Sequence, residues 1–208
     1  PLEWVGGFVI PSRFGRRTGR PTNFLGRWSR ATLWQSLLGT SSFLAVLAAG
    51  RAAGIVAAFA AFLAVMALLV LFQRSLAALV SGVGTGRRLE TASNDSGPAV
   101  ETTLATDSAF TGGVIGWPGH ERIAMPEAWV KLLSPSGFEA LVTRRRLVTK
   151  NGWRAQGLAL ALGFNGAGFL LCSLLPGSGV ASVAGLVSLF LWLTLWSFLG
   201  LLTLPTSS

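Results

Sequence analysis

The chain has a single cysteine, Cys172, and a single histidine, His120, and each scarcity closes off chemistry. One thiol excludes an internal disulfide and every cysteine-rich metal site. His120 lies in a Gly/Pro-rich stretch, where a lone imidazole ordinarily serves as a surface or hydrogen-bonding group, so His120-Glu121 is not read as an acid–base pair. No Ser-His-Asp or Cys-His set can be assembled. Cys172 sits deep in an apolar run, where a thiol behaves as a small hydrophobe. The apolar runs contain no histidine, so the usual imidazole ligation of haem or chlorophyll is absent from them, leaving only a backbone or water ligand. The glycine-rich piece Gly82-Val83-Gly84-Thr85-Gly86 lacks the Walker pattern, and no dinucleotide-binding context surrounds it. Charge is scarce as well. Only 12% of the 208 residues are charged and 51% are hydrophobic, against roughly 25% charged in an ordinary soluble domain. That deficit points to a membrane protein.

Four apolar runs are present, at 31–49, 54–72, 157–174 and 180–204. A spanning helix needs about 17–25 such residues, and hydrocarbon forces each backbone polar group to be satisfied within its own segment, which selects helices. Gly50-Arg51-Ala52-Ala53 separates the first two runs, and Pro176-Gly177-Ser178-Gly179 the last two, so the runs read as two antiparallel helical hairpins. The expected fold class is an all-α membrane protein with four transmembrane helices. A small cytoplasmic segment of short strands and two helices falls between spans two and three. Residues 1–30 contain six arginines but no continuous apolar core, so they do not read as a cleaved signal peptide.

Basic residues orient the runs. Six of the 17 precede the first run, ten lie between the second and third, and Arg51 alone falls on the other side. Cytoplasmic loops collect Lys and Arg, which places both termini and residues 75–156 on the cytoplasmic face of a cell (inner) membrane. The net charge of +9 therefore follows the membrane sides and does not signal nucleic-acid binding. Trp28, Trp34 and Trp153 fall near the cytoplasmic boundaries, where an indole buries its ring and keeps its N–H wet.

Six segments result: a basic, aromatic arm (1–30), a first transmembrane hairpin (31–73), a flexible linker (74–109), a small cytoplasmic unit (110–156), a second hairpin (157–204) and a tail (205–208). The arm, which includes Arg16 and Arg17, alternates aromatics with arginines and is expected to lie on lipid headgroups or against another subunit. Residues 81–109, rich in Gly, Ser, Thr, Asn and Asp, read as a loop. Beyond them, Val114-Ile115 and the stretch 122–125 suit short strands, and Pro126 suits the first turn of a helix reaching Leu133. Ser134-Pro135 is an N-cap followed by a first-turn proline, predicting a helix to about Lys150 that Asn151-Gly152 stops.

That helix carries Arg144-Arg145-Arg146. Phe138, Leu141, Val142 and Val148 form its apolar stripe, with Arg145 on the stripe and the other two flanking it. Two readings stand. The arginine stems pack on apolar surface while their heads reach headgroup phosphates, or Arg145 makes a buried bidentate contact with a carboxylate of a neighbour or partner subunit.

The order of parts resembles the HtpX-type membrane zinc metallopeptidases, which place two spans, a cytoplasmic segment, a zinc-motif helix and two more spans in that sequence. Ser108-Ala109-Phe110-Thr111 is similar to the family's N-A-F-[AS] strand. Arg122-Ile123-Ala124-Met125 with 127–133 resembles its strand and helix, SPSGFEALV (134–142) resembles the lead-in to the zinc helix, and Lys150-Asn151 the K-N that follows. The family's H-E-x-x-H supplies two imidazole ligands and a glutamate base. Aligned through EALV, those positions hold Arg144, Arg145 and Val148. A guanidinium offers no lone pair, and an aliphatic group offers none either. The family's third ligand, a glutamate beyond the fourth span, has no counterpart before Ser208. The resemblance thus implies a degenerate pseudo-peptidase without zinc or other cofactor, and not an enzyme.

The apolar runs also suggest partners. Ala159, Gly163 and Ala167 recur every four residues, a small-residue face that admits another helix. Asn165 at membrane depth needs a hydrogen-bond partner, and Trp192 and Trp196 form a bulky ridge one turn apart. Ordinary intramolecular packing accounts for each of these equally well. The expected partners are the bilayer and other integral membrane subunits. The expected function is a non-catalytic subunit or scaffold of a membrane complex, with a regulatory pseudo-protease as the alternative.

Overall fold

A computed structural model of the chain describes residues 5–14, 21–81, 84–89, 97–104 and 111–203. It divides into two compact units, Pro1–Ser36 with Val70–Trp153, and Leu37–Leu69 with Arg154–Ser208. A π-helical turn, Val5–Val9, leads into a one-turn helix α1, Ile10–Arg13. The long helical run α2 is Pro21–Leu71, followed by α3, Gln73–Ser81. Strands β1 (Gly84–Leu89), β2 (Ala99–Leu104), β3 (Gly113–Ile115) and β4 (Arg122–Pro126) come next. Helices α4 (Glu127–Leu132), α5 (Pro135–Lys150), α6 (Trp153–Ser173) and α7 (Val183–Thr203) complete the order. Among the described residues, three helices are long and apolar enough to cross a membrane: α2, α6, and α7 over Val183–Gly200.

In the unit built from α6, α7 and residues 37–69, α2 is not one straight rod. Helical geometry fails at Ala53 (φ −144°, ψ 21°) and Gly54 (φ 73°, ψ −159°), the second a left-handed conformation that glycine alone adopts without steric cost. Phe43 and Phe62 lie on opposite sides of this break, yet their rings are 6.0 and 6.5 Å from that of Phe190. A straight helix would hold their backbones about 28 Å apart. The axis therefore turns at Ala53–Gly54. Next to the break, a Cβ on Gly50 would collide with the Val180 backbone, and Arg51 Nε donates to the Ala181 carbonyl at 3.0 Å.

Phe169, fully buried, centres this unit, stacked on Phe62 at 4.8 Å and packed with Val46, Leu47, Ala58, Leu186, Leu189 and Leu193. Between α6 and α7 the contacts run in antiparallel order. Gly168 lies against Trp196 and Leu193, whereas Phe164, one turn earlier, lies against Gly200 and stacks on Trp196. Lipid supplies no hydrophobic drive between helices, so close approach over small residues has to supply the attraction. Ser182 Oγ accepts from the Gly185 N–H at 3.1 Å and caps α7, which starts the helix at Val183 instead of position 180.

The other unit has the short strands expected between the apolar runs, and adds two more to them. It contains a four-stranded sheet in the order β1-β2-β4-β3, with β2 and β4 parallel and the outer pairings antiparallel. The strands β3 and β4 occur where the sequence predicts them, but β1, β2 and all of α3 after Gln73 fall inside the 74–109 stretch expected to be a flexible linker. The reason is non-local. GTGRRL has no apolar alternation of its own and is held by its backbone ladder to β2, across an irregularity between Thr85 and Arg88. The sheet buries Val100, Ile123 and Met125 against Val142 of α5, with Val114, Trp129, Phe138 and Leu141 around them.

The N-terminal arm is largely helical over its described residues. Pro21 is a favourable first helical residue, and α2 starts there, ten positions before the apolar run. The Phe8 ring packs on that of Phe24 at 5.5 Å, and Gly7 leaves room for the Phe24 ring.

Candidate functional site: the arginine helix and a carboxylate between two arginines

Helix α5 starts as its sequence dictates. Ser134 Oγ accepts from the Gly137 N–H at 3.2 Å, Pro135 takes the first position, and Gly152 (φ 69°) follows the end. Burial of Val142 in the sheet core fixes the rotation of the helix, and that rotation sends the three arginines to different surroundings. Arg144 is exposed. Arg145 is half-buried and donates from Nη2 to the Thr111 carbonyl at 2.6 Å. Arg146 lays its side chain over Gly97, where even a methyl group would come within 3.2 Å of Nε. Burial, and then the charge of Arg144, push the Arg145 pKa down from its ordinary value, although a guanidinium remains protonated in proteins. The partner of Arg145 is thus a backbone carbonyl, and the bidentate carboxylate considered from sequence is not its described contact. Arg145 and Arg146 both brace the segments that lead into the sheet.

A carboxylate is held elsewhere in this unit. Glu101 on β2, with its side chain 11% exposed, takes Arg74 of α3 on Oε2 at 3.1 Å and Arg122 of β4 on Oε1. The parallel register pairs Ala99 with Arg122 and Glu101 with Ala124, so Arg122 stands two residues along the same face as Glu101. Arg88 of β1 is the backbone partner of Glu101 on the other side. Charge-assisted hydrogen bonds on both oxygens satisfy the buried anion. Sequence reasoning missed this cluster because its members lie 21 and 27 residues apart. The alternation of RIAMP against AVETT is the one signal that would have pointed to it.

The remaining predicted residues are placed as follows. Arg16 and Arg17 lie outside the described residues. Trp28 on α2 and Trp153 at the start of α6 are exposed. Ala159, Gly163 and Ala167 are exposed together on α6, and nothing lies within 4 Å of a Cβ built on Gly163. Asn165 finds its partner in its own helix, donating to the Ala161 carbonyl at 2.8 Å. Trp196 is occupied within the unit, stacked on Phe164 at 5.0 Å with Nε1 donating to the Phe164 carbonyl at 3.1 Å, while Trp192 stays exposed. The two indoles therefore do not act as a single outward ridge. His120 is exposed in the β3–β4 turn, where Glu121 Oε2 accepts from the Gly119 N–H at 2.9 Å. Among the described residues, no three His, Cys, Asp or Glu side chains are grouped to hold a metal ion. No protein-family model, no curated protein and no solved structure matches the chain.

Proposed function

We propose that the chain is a non-catalytic integral membrane subunit or scaffold of a larger membrane assembly, of which energy-transducing complexes, photosynthetic or respiratory, are one class of host. The observation that carries this reading is the uncovered row Ala159-Gly163-Ala167. Gly166, Gly168 and Gly200 on α6 and α7 are all in contact with side chains of their own unit, whereas among the described residues nothing covers this row. A small-residue face left open at membrane depth suits a second helix, because only close backbone approach makes helix association favourable in lipid. Four spans in two antiparallel hairpins are part of the proposal, with both termini and residues 75–156 cytoplasmic. The turn in α2 at Ala53–Gly54 and the one-sided distribution of Lys and Arg support it. Arg16, Arg17, Trp28, Arg144 and Trp153 are proposed to contact headgroups.

The degenerate-peptidase relationship remains part of the proposal, with Arg144, Arg145 and Val148 standing where that family coordinates zinc. It also supplies the alternative, a regulatory pseudo-protease that binds membrane proteins without cleaving them. Purification in mild detergent, followed by mass spectrometry of co-migrating chains, tests the choice. A stoichiometric set of partners that is lost on Gly163→Leu supports the subunit reading. Substoichiometric, changing clients favour the alternative, and chelator-sensitive proteolysis by the pure chain overturns both.

A further inference from the structure

The β3–β4 turn presents an indole at an unusual place. Trp117 is 43% exposed, on a tight turn closed by the His120 N–H donating to the Trp117 carbonyl at 2.9 Å. Gly116 (φ 109°) makes this turn, and a Cβ there would strike the His120 carbonyl. The turn is tied to the chain just past α2: Gln73 Nε2 donates to the Gly116 carbonyl at 2.9 Å. Gln73 is two residues beyond Leu71, the last residue of α2, so its backbone is about 3–7 Å further along the chain. The headgroup layer on each side of a bilayer is itself about 5–7 Å thick. Arg74, the next residue, fastens the same region a second time through Glu101 to Arg122, at the start of the strand that follows the turn.

We propose that the Gly116–His120 turn is a membrane-interface anchor, with Trp117 inserted among the lipid headgroups of the bilayer that α2 enters. Arg74 and Arg122 beside it are balanced by Glu101 and by Glu121 of the turn itself, so no unbalanced acidic group opposes entry into the headgroup layer. An indole gains at this depth because its ring leaves water while its N–H stays hydrated. Helix α3 shares this placement: it begins after a break at Phe72, and its exposed Leu79 is apolar surface suited to the same layer. The anchor holds the sheet against the membrane, whatever partner the outer face of α6 takes, and it rests on the reading of α2 as a membrane span.

The test uses the full chain in vesicles of phosphatidylcholine and phosphatidylglycerol. Tryptophan emission of the parent and of Trp117→Phe is compared with lipids brominated high on their acyl chains and, separately, with aqueous iodide. The component removed by Trp117→Phe should be quenched by the bromolipid and be several-fold less sensitive to iodide than free indole. A component quenched by iodide and untouched by bromolipid overturns the proposal. Nitroxide labels in a Cys172→Ser background supply the second measurement, at His120→Cys, at Lys131→Cys as a water reference and at Leu44→Cys as a lipid reference. The label at 120 should be several-fold less accessible than that at 131 to a water-soluble relaxing agent. Equal accessibility at 120 and 131, with 44 in lipid, overturns the anchor alone. Accessibility at 44 overturns the span reading with it.

Discussion

Replacing Glu101 by glutamine keeps the shape of the side chain and removes its charge, leaving Arg74 and Arg122 facing each other without an anion between them. The geometry bounds the loss. Charge-assisted hydrogen bonds contribute up to about 1.5–3 kcal/mol. The guanidiniums, however, are 41% and 44% exposed, and exposed pairs are screened to roughly 0.2–1 kcal/mol each. A mostly buried carboxylate with two half-exposed partners therefore gives a loss of about 1–2 kcal/mol for Glu101→Gln. Because β2 is central and pairs with both β1 and β4, the loss should appear as faster opening of both ladders. Hydrogen exchange read by mass spectrometry on peptides covering 99–104 and 122–126 should lose about 5–30-fold in protection, while α6 and α7 stay unchanged. The double variant Arg74→Ala/Glu101→Gln should cost less than the sum of its singles, since the two side chains share one interaction. Protection within twofold of the parent, or strict additivity in the cycle, would refute the claim that this cluster fastens α3 and β4 to the centre of the sheet.

Gly168→Leu and Gly163→Leu form a matched pair on α6. The first drives a side chain into Trp196 and Leu193, for a loss of about 1–3 kcal/mol visible as a lower Tm of the detergent-solubilised protein. The second enters open space, so Tm should hold while co-purification of partners fails. Arg51→Ala removes the bond to the Ala181 carbonyl and should cost about 0.5–1.5 kcal/mol, read as faster proteolysis at the turn between α6 and α7. Ser134→Ala deletes the cap on Gly137 and should cost about 1 kcal/mol, measured as lost amide protection in the first turn of α5.

Local signals were legible where the deciding interaction is close in sequence. The Ser134 cap, the stop at Asn151-Gly152 and the strands around Val114 and Ile123 each follow from a few neighbouring residues, and the structure has them. The apolar runs were legible too, because hydrophobic length is a property of the sequence itself. The strands β1 and β2 were not. AVETTL becomes a central strand because RIAMP pairs with it in parallel and Val142 of α5 covers it, none of which is local.

The same division runs through the candidate sites. Composition and residue order alone determined that this chain has helices long and apolar enough to cross a membrane, that its Lys and Arg, Arg51 apart, lie outside the apolar runs at 31–72 and 157–204, and that three arginines sit on a capped helix. Three further points needed the tertiary structure. Arg145 meets the carbonyl of Thr111, Glu101 gathers two arginines from distant elements, and Gly168 is consumed by packing while Gly163 stays open. Helix periodicity tells which residues share a face, but only the packed neighbours decide which face is covered.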